Sequence, residues 1–341
     1  MSKPTFLKTS FWKKKIKQFI IQLFLVDFIF YKHKKTNNLL VITLDALGDN
    51  VVKSKTIKLL EKKFGQDNTY ILCKSKWKSI YKLQNYKHIF IDETKWNVFY
   101  KIKLYRKLNK IGFNTVVILN HSYLPEEEKF ILTGKKYDTS QTVDYILNKH
   151  LFLLNKILDR KVIINDIIPD MRVYFPETKY HNIITLAVGT ADYIKTPTFN
   201  NLCKYIEGIL SLNLNKDIYL LGTGDKQNTV ATEIINSINS KKIKNMVDKL
   251  DLIEVMQMIK DSDLFIGGDS GLYNIAFCLK TKTICLHWKD NYPLWEHRTE
   301  NIKILKGKGG KEYVDKQYGT DILNSITFEQ IKEAMEELNV N

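Results

Sequence analysis

An α/β protein built on two successive parallel sheets, each wound on both faces by helices, is what this sequence predicts, and three observations predict it. Short apolar runs alternate with stretches of helical period through the first half: Leu39–Leu44 (LLVITL), Tyr70–Leu72, Ile89–Ile91 and Val116–Leu119. The alternation lapses around Ile168–Glu177, where Pro169 and Pro176 stand, and restarts at Ile183–Val188. Later, Leu264–Leu286 (LFIGGDSGLYNIAFCLKTKTICL) reads as strand, Gly-rich turn, helix, strand, which is a βαβ unit.

The elements follow in chain order. Residues 11–36 place lysines on both sides of an apolar stretch: Lys13, Lys14, Lys15 and Lys17, then Phe19–Tyr31, then Lys32, Lys34 and Lys35. Residues 19–31, with Gln22 and Asp27 among them, are too few and too polar to span a bilayer. A secretory signal would end in a small-residue cleavage site, and Tyr-Lys-His-Lys-Lys follows instead. Two readings stand: an interfacial helix on an anionic membrane, or a helix packed on the protein body with its lysines in water. After the first strand comes the loop Asp45–Asp49 and a helix with Ile57, Leu60 and Phe64 on one face. A basic helical stretch covers Val98–Lys110, and another helix Thr142–Leu158.

In the second half, Pro197–Leu212 is loop and helix, and Ile218–Leu221 is a strand closed by Gly222-Thr223-Gly224-Asp225. Leu252–Ile259 is a helix, and the last helix, Thr327–Leu338, opens on a capping box of Thr327 and Gln330. The domains are therefore read as 1–36, a basic-apolar segment; 37–175, an N-terminal sheet domain; and 176–341, a C-terminal one. The last helix belongs to the C-terminal domain or packs back on the N-terminal one.

Composition bounds the function. The 341 residues are 44% hydrophobic and 26% charged, so a core is available. The net charge of +16 points to an anionic partner: nucleic acid, anionic lipid or a phosphorylated substrate. The lysines are dispersed and no nucleic-acid module is visible, so nucleic acid is set aside. Cys73, Cys203, Cys278 and Cys285 are scattered without a CxxC pair and read as reduced core residues of a cytoplasmic protein.

Ligands of open α/β sheets bind at the C-terminal ends of the strands, so the loops there carry the candidate chemistry. In Asp45–Asp49, Gly48 lets the backbone turn, and Asp49 at a helix start is either a general base for a hydroxyl nucleophile or a helix N-cap. In Gly267–Gly271, open N–H groups at a helix start favour a phosphate; the alternative is a tight turn capped by Asp269 or Ser270. In Gly189-Thr190-Ala191-Asp192, with Lys195, a hydroxyl and an ammonium offer a phosphate site, or form an ordinary polar turn with a solvated lysine. His287 with Trp288 forms a wall of the cleft. No P-loop, no GxGxxG after the first strand, no GxSxG elbow and no metal-ligand spacing occurs.

Two of these loops resemble a known family. Leu40–Asp49 (LVITLDALGD) followed by a helix is similar to the N-terminal motif of the family 9 glycosyltransferases, the heptosyltransferase family. Phe265–Leu272 (FIGGDSGL), with Ala276 in the following helix, is similar to its second signature, and the resemblance spans roughly residues 38–338. It implies a GT-B fold, two Rossmann-like domains with a cleft between them. It also implies an inverting, metal-independent transfer of a heptose or hexose from a nucleotide-sugar, such as an ADP-heptose-like donor, to a hydroxyl of a lipopolysaccharide-core or related anionic envelope glycan. The nucleotide-sugar is a co-substrate, and no cofactor is implied. By position Asp49 matches the catalytic base, and Thr190, Lys195, Asp269, Ser270, Gly271 and Leu272 the donor site, with Gly48, Gly222, Asn274 and His287 facing the cleft. Three departures bear on the donor sugar: Asn274 stands where many members have histidine, Ile194 where they have lysine, and His287-Trp288 where they tend to have Gly-Pro. The competing expectation is an inactive binding protein of the same fold, peripheral on the cytoplasmic face of the inner membrane.

Overall fold

The structure, a computed structural model, describes residues 5–25, 36–92, 97–121, 125–139, 143, 145–288, 293–308 and 321–340. In chain order it runs α1 (Thr5–Leu23), β1 (Leu39–Thr43), α2 (Leu47–Val52), α3 (Ser54–Phe64), β2 (Thr69–Cys73), α4 (Lys78–Leu83), β3 (His88–Ile91), α5 (Val98–Ile111), β4 (Thr115–Ile118), β5 (Lys135–Asp138) and α6 (Ile146–Ile157). It continues with α7 (Ile164–Ile167), β6 (Ile183–Ala187), α8 (Phe199–Ser211), β7 (Asp217–Leu221), α9 (Asp225–Ile238), β8 (Ile243–Asn245), α10 (Leu252–Asp261), β9 (Leu264–Gly268), α11 (Gly271–Cys278), β10 (Thr283–His287), β11 (Ile302–Lys306) and α12 (Phe328–Glu337).

Two compact units result. One holds residues 1–45, 56–141 and 149–162, the other 46–55, 142–148 and 163–341. The N-terminal unit carries a sheet of order β3-β2-β1-β4-β5, with parallel pairing throughout. Its central strand β1 is buried along its whole length because helices cover both faces, which is why LLVIT needs no polar alternation. One layer of its core joins Leu40, Ile42, Leu72, Val116 and Ile118 to Leu104, Tyr105 and Leu108 of α5, and Ile21 and Leu25 seat the end of α1 there. The packed-helix reading of the N-terminal segment thus holds for that face; residues 26–35, the rest of the lysine-flanked stretch, lie outside the described residues. Among the described residues no helix is long and apolar enough to cross a membrane.

The C-terminal unit has the order β11-β10-β9-β6-β7-β8, again all parallel, with the fully buried β6 and β9 side by side at the centre. Taken from its first strand this is the doubly wound order 3-2-1-4-5-6.

The units part at 162/163, ahead of the linker placed at 168–177, and the short α2 groups with the C-terminal unit although its chain leaves β1. The last helix packs in the C-terminal unit: Ile331, Ala334, Met335 and Leu338 complete its core, and Thr327 forms the expected capping box with Gln330. The basic stretch over α5 turns one lysine inward. Lys101 is buried, paired with Asp92 at 3.1 Å and Glu127 at 2.9 Å, and burial raises the Asp92 carboxyl above its ordinary range despite the lysine. Thr142 of the helix expected at 142–158 lies outside the described residues. The four cysteines form no disulfide, and three of them are buried.

Candidate functional site

In the C-terminal sheet the connections leave β6 and β9 in opposite directions, so their loops part and leave a crevice at the strand ends. Both donor loops read from the sequence meet there. Lys195 reaches Asp269 across it, Nζ to Oδ2 2.6 Å, and the same ammonium lies 5.9 Å from the centre of the Trp288 ring. The lysine is therefore not solvated. Asp269 is not the helix cap: Ser270 is, its Oγ accepting from the Tyr273 N–H at 3.4 Å, which leaves the Asp269 carboxylate to the lysine. Thr190 behaves as an ordinary turn residue, its hydroxyl donating to the Asp192 carbonyl while its own carbonyl accepts from Gln227 at 3.3 Å.

The glycines here answer to space. Neither Gly267 nor Gly268 has a positive φ. A Cβ on Gly268 would collide with the Lys195 carbonyl, and one on Gly267 would lie 2.8 Å from the Phe265 ring and 2.9 Å from Ala187. The loop that carries the lysine can lie against β9 only because no side chain stands there. At Gly222 the obstacle is the Gln227 carboxamide, which also accepts from the Thr223 N–H at 3.0 Å. His287 is a buried residue at the end of β10, not a wall; Trp288 beside it is what comes near Lys195.

Asp49 belongs to the same unit. Its helix α2 lies on α11, and each helix offers one glycine to the other. A Cβ on Gly48 would come within 2.7 Å of the Asn274 amide, and one on Gly271 within 3.0 Å of Leu47. Gly48 thus serves close approach, not the sharp turn expected of it. Asp49 stands in the first turn of α2, and its Oδ2 accepts from the Ala46 N–H at 3.1 Å. The capping reading of Asp49 is partly right: Ala46 holds the cap position and Asp49 closes the turn from inside.

Asn274 is itself pinned. Its Nδ2 donates to the Ser270 carbonyl at 2.8 Å, so its Oδ1 is the acceptor for His297 Nε2, also at 2.8 Å. His297 must then carry its proton on Nε2, leaving Nδ1 to accept from the Tyr145 hydroxyl at 3.0 Å. The ring stacks on Phe277 with centroids 3.7 Å apart. Burial drives its pKa down to about 3. A folded-state pKa below the unfolded one gives stability that is complete above the unfolded value near 6.5 and is lost as pH falls toward 3. Unfolding free energy should therefore drop by on the order of 2 kcal/mol between pH 7 and pH 5 through this ring alone. Denaturant titrations of wild type and His297→Gln at both pH values check this; equal pH dependence in the two proteins would remove the ring from the account.

The N-terminal unit has its own pair of diverging strands, β1 and β4. Asp45 ends β1 and accepts from the His121 N–H at 3.0 Å, while its carbonyl accepts from the Trp77 indole at 2.9 Å. His121 and His150 face each other, Nε2 to Nε2 2.6 Å, and His150 Nδ1 meets the Thr56 hydroxyl at 3.0 Å. Sequence reasoning missed His121, His150, His297 and Tyr145. Only His121 left a signal, two residues past an apolar strand end.

With this geometry in view, the comparisons with known proteins agree. Residues 207–318 match the profile of Glycosyltransferase family 9 (heptosyltransferase). Lipooligosaccharide heptosyltransferase 2 of Campylobacter jejuni is 22% identical over 280 residues, 76% of this chain and 83% of that protein. A family 9 glycosyltransferase from Veillonella parvula superposes with a TM-score of 0.68 at 14% identity, covering 90% of this chain and 99% of its own. E. coli heptosyltransferase WaaC with ADP gives 0.69 at 12% identity, covering 88% and 99%. These structures define the fold as GT-B. The profile match lies within the C-terminal unit, and by it and the Campylobacter relative the chain is similar to the family 9 glycosyltransferases, the heptosyltransferase family.

Proposed function

We propose that the protein moves a heptose or hexose from a nucleotide-sugar to a hydroxyl of a lipopolysaccharide-core or related envelope glycan, with inversion and without a metal ion. The observation that carries this reading is the docking of α2 on α11, which brings the helix of Asp49 to the helix that opens the donor loop. Asp49 takes the proton of the acceptor hydroxyl as its oxygen attacks the anomeric carbon from the face opposite the leaving diphosphate. The departing charge meets the N–H groups of Gly271 and Leu272, which a helix start cannot use internally, and the Lys195 ammonium. Asp269 keeps that ammonium extended over the crevice, and Trp288 shields it from water. The solved relatives of this fold include WaaC with ADP and with ADP-2-deoxy-2-fluoro heptose, which supports an ADP-sugar as the first donor to try. Such a donor and acceptor fit an enzyme working on the cytoplasmic side of the inner membrane.

The test is nucleoside diphosphate release by the purified full chain over ADP-, UDP- and GDP-sugars, with and without extracted lipopolysaccharide core. Acceptor-dependent release from one donor is the expected result. Donor binding without transfer to any acceptor would instead favour an inactive binding protein, and no binding at all would refute the site.

A further inference from the structure

Helix α1 is apolar on two opposite faces. One face sends Ile21 into the N-terminal core, with Leu25 just beyond the helix end, and Arg106 of α5 donates to the Phe24 carbonyl at 3.0 Å. The other face carries Trp12, Ile16, Phe19 and Leu23, which are 63%, 54%, 65% and 57% exposed. At 3.6 residues per turn these four fall within an arc of roughly 60°, on the side away from Ile21. Phe24 adds a further large side chain, 51% exposed. A soluble surface rarely leaves so continuous a stripe to water.

We propose that this face is a docking surface for an anionic phospholipid bilayer, on which α1 lies flat. Charge selects that occupant over a second copy of the chain. Lys15 stands exposed beside the stripe, Lys17 is half-buried, and Lys13 and Lys14 share the helix. The chain as a whole carries +16, so two copies repel where an anionic surface attracts. Orientation follows from packing. The buried face fixes the helix along the protein body, so it cannot turn to cross the membrane, and it is too short of apolar length to do so. Aromatic and aliphatic side chains on a lysine-edged helix enter the headgroup region to a depth of about 5–10 Å. The surface lies in the N-terminal unit, and the inference stands whether or not the proposed transfer is correct.

The test is co-sedimentation of the full chain with vesicles of phosphatidylcholine alone and of phosphatidylcholine with phosphatidylglycerol in equal parts. Wild type should partition to the anionic vesicles, less so at high salt. Each large apolar side chain carries about a tenfold share of the partition coefficient, so Ile16→Glu with Phe19→Glu should lower it by about 100-fold. Both positions face water, so the melting temperature and turnover of a soluble acceptor should hold. Absence of wild-type binding, or equal binding by the variant, overturns the proposal. A wild-type dimer that the variant makes monomeric, without vesicle binding, overturns it too and assigns the face to a second copy.

Discussion

Replacing Asp49 with Asn is expected to slow sugar transfer by about 10²- to 10⁴-fold while leaving the melting temperature unchanged. Asn is the informative substitution because Asp49 also has a structural task. Its Oδ2 accepts from the Ala46 N–H in the first turn of α2, and an amide oxygen can accept the same bond. Asp49→Ala removes both functions and would mix the loss of a cap, worth about 1 kcal/mol, with the loss of a base. With Asn the helix stays closed and only proton acceptance disappears. Donor affinity should be unchanged, so the loss falls on kcat. If the Asn variant transfers sugar at the wild-type rate, Asp49 is a capping residue and the base lies elsewhere.

The second large effect is expected at Lys195. Lys195→Met leaves the buried Asp269 carboxylate without the ammonium 2.6 Å away, and should destabilise the C-terminal unit by about 2 to 3 kcal/mol. It should also weaken nucleotide-sugar binding by about 10- to 100-fold, because a charge-assisted contact to the diphosphate is lost. The two effects separate in Lys195→Met combined with Asp269→Asn. Replacing the carboxylate by a neutral amide removes the uncompensated charge, so thermal stability should return while donor binding does not. Calorimetric titration with a nucleoside diphosphate, beside thermal melts of wild type, the single and the double variant, reads both. Recovery of nucleotide affinity in the double variant would reduce the pair to a structural salt bridge.

The most legible strands were those buried on both faces. β1, β4, β6 and β9 draw most of their residues from Val, Ile, Leu and Phe because they are buried along their length. Among the edge strands, β3 was read from its apolar run Ile89–Ile91, but β5 and β8 gave no such pattern. Lys135–Asp138 reads KKYD and has no fully buried residue, and β8 is the three residues Ile243–Asn245. At the site, Lys195 and Asp269 were each picked out of their own loops, but their pairing spans 74 residues and depends on which strands lie side by side. The glycines were recognised and given the wrong reason, since local sequence suggests a turn but cannot display the neighbour that excludes a side chain. His297 sat in no motif at all. Its part comes from the Asn274 amide, whose orientation only the folded network decides.

The two-faced helix at the N-terminus has a practical corollary for anyone who would trim this protein for better behaviour in solution. Cutting α1 away removes Trp12, Ile16, Phe19 and Leu23 from contact with water, but it also withdraws Ile21 and Leu25 from their seat in the core that contains Leu104 and Leu108. The shortened protein would exchange one sticky surface for another. Recolouring the outer face with charged side chains, while leaving the inner one intact, is the route to a well-behaved sample.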